Sequence, residues 1–176
     1  LLVTKTAFGA LPIQRISKAD AVKLVRRAYE AGINYFDTAN MYTDSEEKLG
    51  EALHDVRQNV VISTKSGGGD KKTVQAHIEE SLRRLQTDYI DLLLIHEPYD
   101  SALEMYEAMK EAYRAGKVRA IGISNFNEKK YQAFVAACDI VPAVSQVESH
   151  VYYPQLALQK EMEKHGTQMQ SWASFT

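Results

Sequence analysis

The sequence has little of what would make it a disulfide scaffold, a membrane span or a nucleic-acid binder. It has one cysteine, Cys138, so no intrachain disulfide can form; the chain fits a reducing compartment, and Cys138 reads as a buried helix residue. No apolar run reaches the roughly 18 residues that a membrane span needs. The opening "LLVTKTAFG" also lacks the charged-then-apolar layout of a secretory signal. Like charges never form a block of five, and 21 basic against 23 acidic side chains leave a formal charge of -2. That balance gives no electrostatic footing for nucleic acid or an anionic membrane. The histidines and the lone cysteine do not make a metal set. The expectation is a cytoplasmic chain whose partner is a small molecule.

What is present is a core. A length of 176 residues with 45% hydrophobic composition suffices for one sizeable core and is short for two, so residues 1–176 read as a single domain. Six short runs rich in branched and aromatic residues read as buried strands: 33–37, 60–65, 90–96, 118–124, 143–148 and 167–172. A seventh, "KTAFGALPI", lies near the start. Five intervening segments carry apolar residues at the spacing of one helix face, as in Val74, Ile78, Leu82 and Leu85, or Ala102, Tyr106 and Met109. Ser17, Ser45, Thr73 and Ser101 stand where a side-chain oxygen would cap a helix start, and Gly32, Gly116 and Gly166 where a helix would end.

Strand ends at residues 37, 65, 96, 124, 148 and 172 recur every 24 to 31 residues, the length of one strand–helix unit. Alternation of this kind implies a parallel sheet covered on both faces. An open doubly wound sheet that binds a dinucleotide would want G-x-G-x-x-G at its first turn, and neither "GALPIQ" nor "GGGDKK" supplies it. A closed barrel is the better reading. In a parallel barrel, chemistry collects at the carboxyl ends of the strands. Those ends carry Asp37 and Tyr42, Lys65, His96, Ser124 and Asn125, Gln146, and Trp172.

Each of these has an ordinary explanation alone: a solvated turn, a strand-end lysine, a satisfied core histidine, a helix cap. Together they would require the same accident on successive units. A phenol, an ammonium and a carboxylate can form a proton donor, the ammonium lowering the phenol from its usual pKa near 10 and the carboxylate keeping the ammonium charged. His96 can orient a carbonyl oxygen. No nucleophile is paired with a base. Ser124, Asn125 and Gln146 can hydrogen-bond a planar amide and Trp172 can stack on a flat ring, which suits a nicotinamide.

In order along the chain, "GINYFDTANMY", "VVISTK", "DYIDLLLIHEP", "GKVRAIGISNF" and "VSQVE" resemble the signatures of the aldo-keto reductases. The resemblance implies a (β/α)8 barrel, NADPH-dependent reduction of aldehydes and ketones (with NADH possible), and a cytoplasmic monomer. It further implies Asp37, Tyr42, Lys65 and His96 as the catalytic tetrad, with Tyr42 the acid. Ser124, Asn125 and Gln146 match its carboxamide contacts, and Trp172 falls where the family places an aromatic, more often tyrosine, under the nicotinamide.

Departures are equally specific. The eighth strand and following helix are expected beyond Thr176, so the barrel should be incomplete at its C-terminal end and part of a longer protein or of a truncated form. Glu97 stands where many members have tryptophan, and Ser149 and Val151 where they have tyrosine and proline; these changes bear on substrate shape. The competing readings are a catalytically weak or inactive binding or regulatory subunit of the same fold, and an unrelated barrel enzyme acting on phosphorylated substrates.

Overall fold

In the computed structural model, which describes residues 1–175, strands and helices alternate throughout. The strands are β1 (Phe8–Gly9), β2 (Tyr35–Asp37), β3 (Val61–Ser66), β4 (Leu92–Ile95), β5 (Ile121–Ser124), β6 (Val144–Glu148) and β7 (Gln168–Trp172). Between them run α1 (Lys18–Glu30), α2 (Ser45–Leu53), α3 (Lys71–Arg84), α4 (Ala102–Arg114), α5 (Glu128–Ala137) and α6 (Leu156–His165). All seven strands pair in parallel, in sequence order.

The sheet is curled. Neighbouring strands lie about 4.8 Å apart, so β2 and β7, five steps removed, would be separated by about 24 Å in a flat sheet. Instead the Tyr35 hydroxyl on β2 donates to Gln170 Oε1 on β7 at 2.7 Å. Gln146 Nε2 on β6 likewise donates to Asp37 Oδ1 on β2 at 3.0 Å. The result is a seven-stranded part of a (β/α)8 barrel with helices outside.

Period-two alternation assigns the faces. On β4, Leu92 and Leu94 join Tyr35, Val61, Ala120 and Val144 in an interior cluster. Leu93 and Ile95 instead pack outward with Val74, Ile78, Met105 and Met109 of α3 and α4. A strand enclosed on both faces needs an unbroken apolar run, which is why "LLLI" does not alternate. A second outer cluster, including Val25, Phe36, Leu49 and Ile62, holds α1 and α2 against β2 and β3. Stepping by two from the interior residues leads from Tyr35 to Asp37, Val61 to Lys65, Leu94 to His96, Ala120 to Ser124, Val144 to Gln146 and Gln170 to Trp172. The interior faces therefore end in the residues singled out above.

Several local expectations are corrected. The segment "KTAFGALPI" forms a strand only at Phe8–Gly9 and then a 3-10 turn over Leu11–Arg15, because Pro12 has no amide to continue a ladder. Ser17 caps α1 as expected, accepting from Asp20 N. The cap of α3 is Asp70, not Thr73, and accepts from Thr73 N at 2.8 Å. Ser45 lies inside α2 and donates to Ala10 O, and Ser101 donates to Gly69 O. In both cases a tertiary acceptor outcompetes the helix terminus. Asn127, rather than Ser124 or Asn125, caps α5 through Lys130 N. Cys138 terminates α5 and is half-buried. The sixth helix, α6, was not evident from apolar spacing, although Gly166 marks its end at φ 76°.

Candidate active site

The loop between β2 and α2 is fixed by its backbone before any ligand is considered. Thr38 N donates to Ser63 O and Asn40 N to Lys65 O, while Arg84 Nη1 holds Asn40 O at 2.9 Å. Beneath it, Thr38 Oγ1 donates to Ser45 Oγ, which in turn donates to Ala10 O. Tyr42 thus extends from a braced turn and not from a free loop.

Its phenol oxygen lies 3.5 Å from His96 Nε2, and the two rings meet edge to face at 5.6 Å. Lys65 is 2% exposed, and its Nζ donates to Asp37 Oδ2 at 2.6 Å and to Thr38 O at 2.8 Å. The same ammonium is 5.8 Å from the centre of the Tyr42 ring. Asp37 accepts through its other oxygen from Gln146. Carboxylate, ammonium, phenol and imidazole, contributed by the ends of β2, β3 and β4 and the loop after β2, therefore share one mouth.

The electrostatics differ from the expectation. Tyr42 is not lowered: burial, then the charges of Asp37 and Glu97, push it up to about 12. The reason is geometric. Lys65 directs two of its three hydrogens at Asp37 and Thr38, so the ammonium neutralises the carboxylate and no bond from it reaches the phenol oxygen. His96 is pushed down to about 4 by burial and by the Lys65 charge, which together outweigh the pull of Asp37. Near neutral pH the pair is a protonated phenol beside a neutral imidazole. His96 Nδ1 is buried without a partner.

On the other side of the mouth, Ser124 is buried in register with Gln146, and Asn125 N donates to Gln146 O. Asn125 adopts a left-handed φ of 65°, which turns its side chain across the mouth. Its Nδ2 donates to Glu97 Oε1 at 2.6 Å and to His96 O at 3.4 Å, and its Oδ1 accepts from Trp172 Nε1 at 2.9 Å. Trp172 is 40% exposed at the end of β7. All eight expected site residues lie at or beside strand ends on this one rim. The amides of Asn125 and Gln146 bond protein neighbours here, so both would have to exchange partners to hold a ligand amide.

Four residues around the mouth are not signalled as site residues by the sequence. Thr38 gives Lys65 its second acceptor through a backbone oxygen, which no side-chain pattern signals. Tyr35 and Gln170 bond each other across the interior face; each stands two residues before an expected site residue, a parity legible in the sequence. Glu97 was noted only as a departure, yet it bonds Asn125 and raises Tyr42. Among the described residues no group of three or more metal-ligating side chains occurs.

The chain matches the sequence profile described as "Aldo/keto reductase family" over residues 5–175. It is 35% identical over 162 residues to 2,5-diketo-D-gluconic acid reductase B of Corynebacterium, covering 88% of this chain and 58% of that one. To glyoxal reductase of Bacillus subtilis it is 34% identical over 160 residues, with the same coverage. The chain thus spans 58% of the length of these two relatives. Among solved structures, the aldo-keto reductase of Bombyx mori in complex with NADP superposes with a TM-score of 0.87 at 27% identity, over 96% of this chain and 62% of that one. A curled parallel sheet with a phenol, imidazole and ammonium–carboxylate pair at its mouth, matched over nearly its whole length by this profile, places the chain in the aldo/keto reductase family.

Proposed function

We propose that this chain carries the proton-donating half of an NADPH-dependent reduction of small aldehydes and ketones to alcohols, with Tyr42 as the acid. The observation that carries the reading is the 3.5 Å approach of the Tyr42 hydroxyl to His96 Nε2 above the buried Lys65–Asp37 pair.

The donor set fits the carboxamide of a nicotinamide. Asn125 presents both an amide donor and an amide acceptor at the rim, and their present partners, Glu97 and Trp172, are exposed enough for water to replace them. Asn125, Gln146 and Ser124 would hold that amide, and Trp172 would lie against the ring. When bound, the cofactor supplies a hydride to the carbonyl carbon.

The remaining work falls to the chain. His96, uncharged near neutral pH, and the Tyr42 hydroxyl define where a carbonyl oxygen sits. As negative charge develops on that oxygen, the Tyr42 proton moves to it. A phenol near 12 still gives its proton readily to an alkoxide, whose basicity approaches that of hydroxide (water, about 15.7). Lys65 and Asp37 lie beneath the phenol as a matched ion pair, the carboxylate keeping the ammonium charged in its buried position. Relatives named for glyoxal and for a diketo acid support a small carbonyl compound as the substrate.

The test is NADPH oxidation at 340 nm with methylglyoxal or an aromatic aldehyde. A second reading, a nicotinamide-binding subunit without turnover, has one observation in its favour: the Glu97–Asn125–Trp172 contacts occupy the amide that the cofactor would use. Tight NADPH binding with no oxidation in the presence of aldehyde would select it.

A further inference from the structure

The interior cation of the mouth, Lys65, is already matched by Asp37 at 2.6 Å, so that pair adds little net charge to whatever sits above it. Glu97 is different. It follows His96, is exposed, and turns Oε1 onto Asn125 Nδ2 at 2.6 Å. Asn125 is itself held by the Trp172 indole at 2.9 Å. The line Glu97–Asn125–Trp172 crosses the ends of β4, β5 and β7, and places one carboxylate on the rim, next in sequence to His96. Among the described residues no cation pairs with it; Lys130, on α5, reaches the same loop but donates to Pro98 O at 3.3 Å. The negative charge is felt at the reacting end of the site, where it helps to hold the proton on Tyr42. Glu148, in register with Trp172, adds a second carboxylate, which faces His150 at 3.4 Å.

We propose that Glu97 is the charge-selecting residue of this site, admitting neutral carbonyl compounds and turning away those that carry a carboxylate. The proposal rests on the reductase reading and settles a choice which that reading leaves open. An anion approaching Tyr42 and His96 meets the Glu97 carboxylate with no unpaired cation beside it among the described residues, whereas a neutral dicarbonyl meets no such barrier. Because Glu97 is exposed, the repulsion is screened by salt and is greatest at low ionic strength.

Glu97→Gln is the test, because it keeps an Oε1 for Asn125 while removing the charge. With NADPH, kcat/KM is measured for methylglyoxal and for glyoxylate, small aldehydes that differ in charge. The ratio of glyoxylate to methylglyoxal is expected to rise about tenfold in Glu97→Gln; a ratio within twofold of the parent overturns the proposal. A second readout needs no turnover. Trp172 is the sole tryptophan and is joined to Glu97 through Asn125, so its emission reports the local potential. At low ionic strength, iodide quenching is expected to rise about twofold in Glu97→Gln while quenching by neutral acrylamide holds. Unchanged iodide quenching overturns the charge assignment. Absence of NADPH oxidation in both chains, with iodide quenching raised in the variant, would instead sink the reductase reading and leave the charge assignment standing.

Discussion

The Tyr42 hydroxyl and His96 Nε2 stand 3.5 Å apart, although 54 residues separate them, and their protonation states are driven in opposite directions. The phenol is pushed up to about 12 and the imidazole down to about 4. Both shifts originate first in burial, which disfavours phenolate and imidazolium alike.

One consequence is a flat profile. Between about pH 5 and pH 9 Tyr42 keeps its proton and His96 stays neutral, so kcat for reduction should show no titration from either group. Steady-state rates across that range check this, and a clear inflection near pH 6.5 that disappears in His96→Asn would contradict it.

The same shift bears on stability. The imidazole pKa is 6.5 when free and about 4 in the fold, so between those values the unfolded chain binds more protons and stability rises with pH. Stability is therefore lost as pH falls from about 6.5 to about 4. Thermal melts at pH 7 and pH 5 should show a larger drop in Tm for the parent than for His96→Asn.

Beneath the site, Asp91 is fully buried and accepts from Arg57 Nη2 at 2.7 Å, Arg119 Nη1 at 2.9 Å and the amide of Ile62 at 3.0 Å. Asp91→Ala leaves the buried Arg57 guanidinium without its anion and should cost about 3–5 kcal/mol. Urea unfolding measures it, and a loss below about 1 kcal/mol would contradict this assignment.

Gly122 lies in the interior layer, where a Cβ would stand 2.3 Å from Val144 O and 2.7 Å from Leu94 Cδ2. Backbone cannot yield cheaply, so Gly122→Ala should destabilise by about 1–3 kcal/mol and spread β5 from β6. The melting temperature reads it directly; an unchanged value would show that the layer has room.

The sequence disclosed the architecture through its repeat, because a strand enclosed on both faces must be continuously apolar, as "LLLI" is, and a helix must carry a stripe. It pointed to the candidate residues that meet at the mouth because they recur at strand ends. Two kinds of information were not legible. Helix caps such as Asp70 depend on which oxygen loses a competition with tertiary partners, as Ser45 and Ser101 show. The direction of the Tyr42 shift depends on where Lys65 points: Thr38 O and Asp37 Oδ2 claim the ammonium, and no list of residue types says so.

Tyr42→Phe tests the central claim most directly, because it removes one oxygen from a braced loop and leaves the ring contact with His96. NADPH oxidation with methylglyoxal should fall about 10²–10⁴-fold, the usual range for loss of a general acid, with NADPH affinity from fluorescence titration retained. Turnover preserved in Tyr42→Phe would contradict the assignment of Tyr42 as the proton donor.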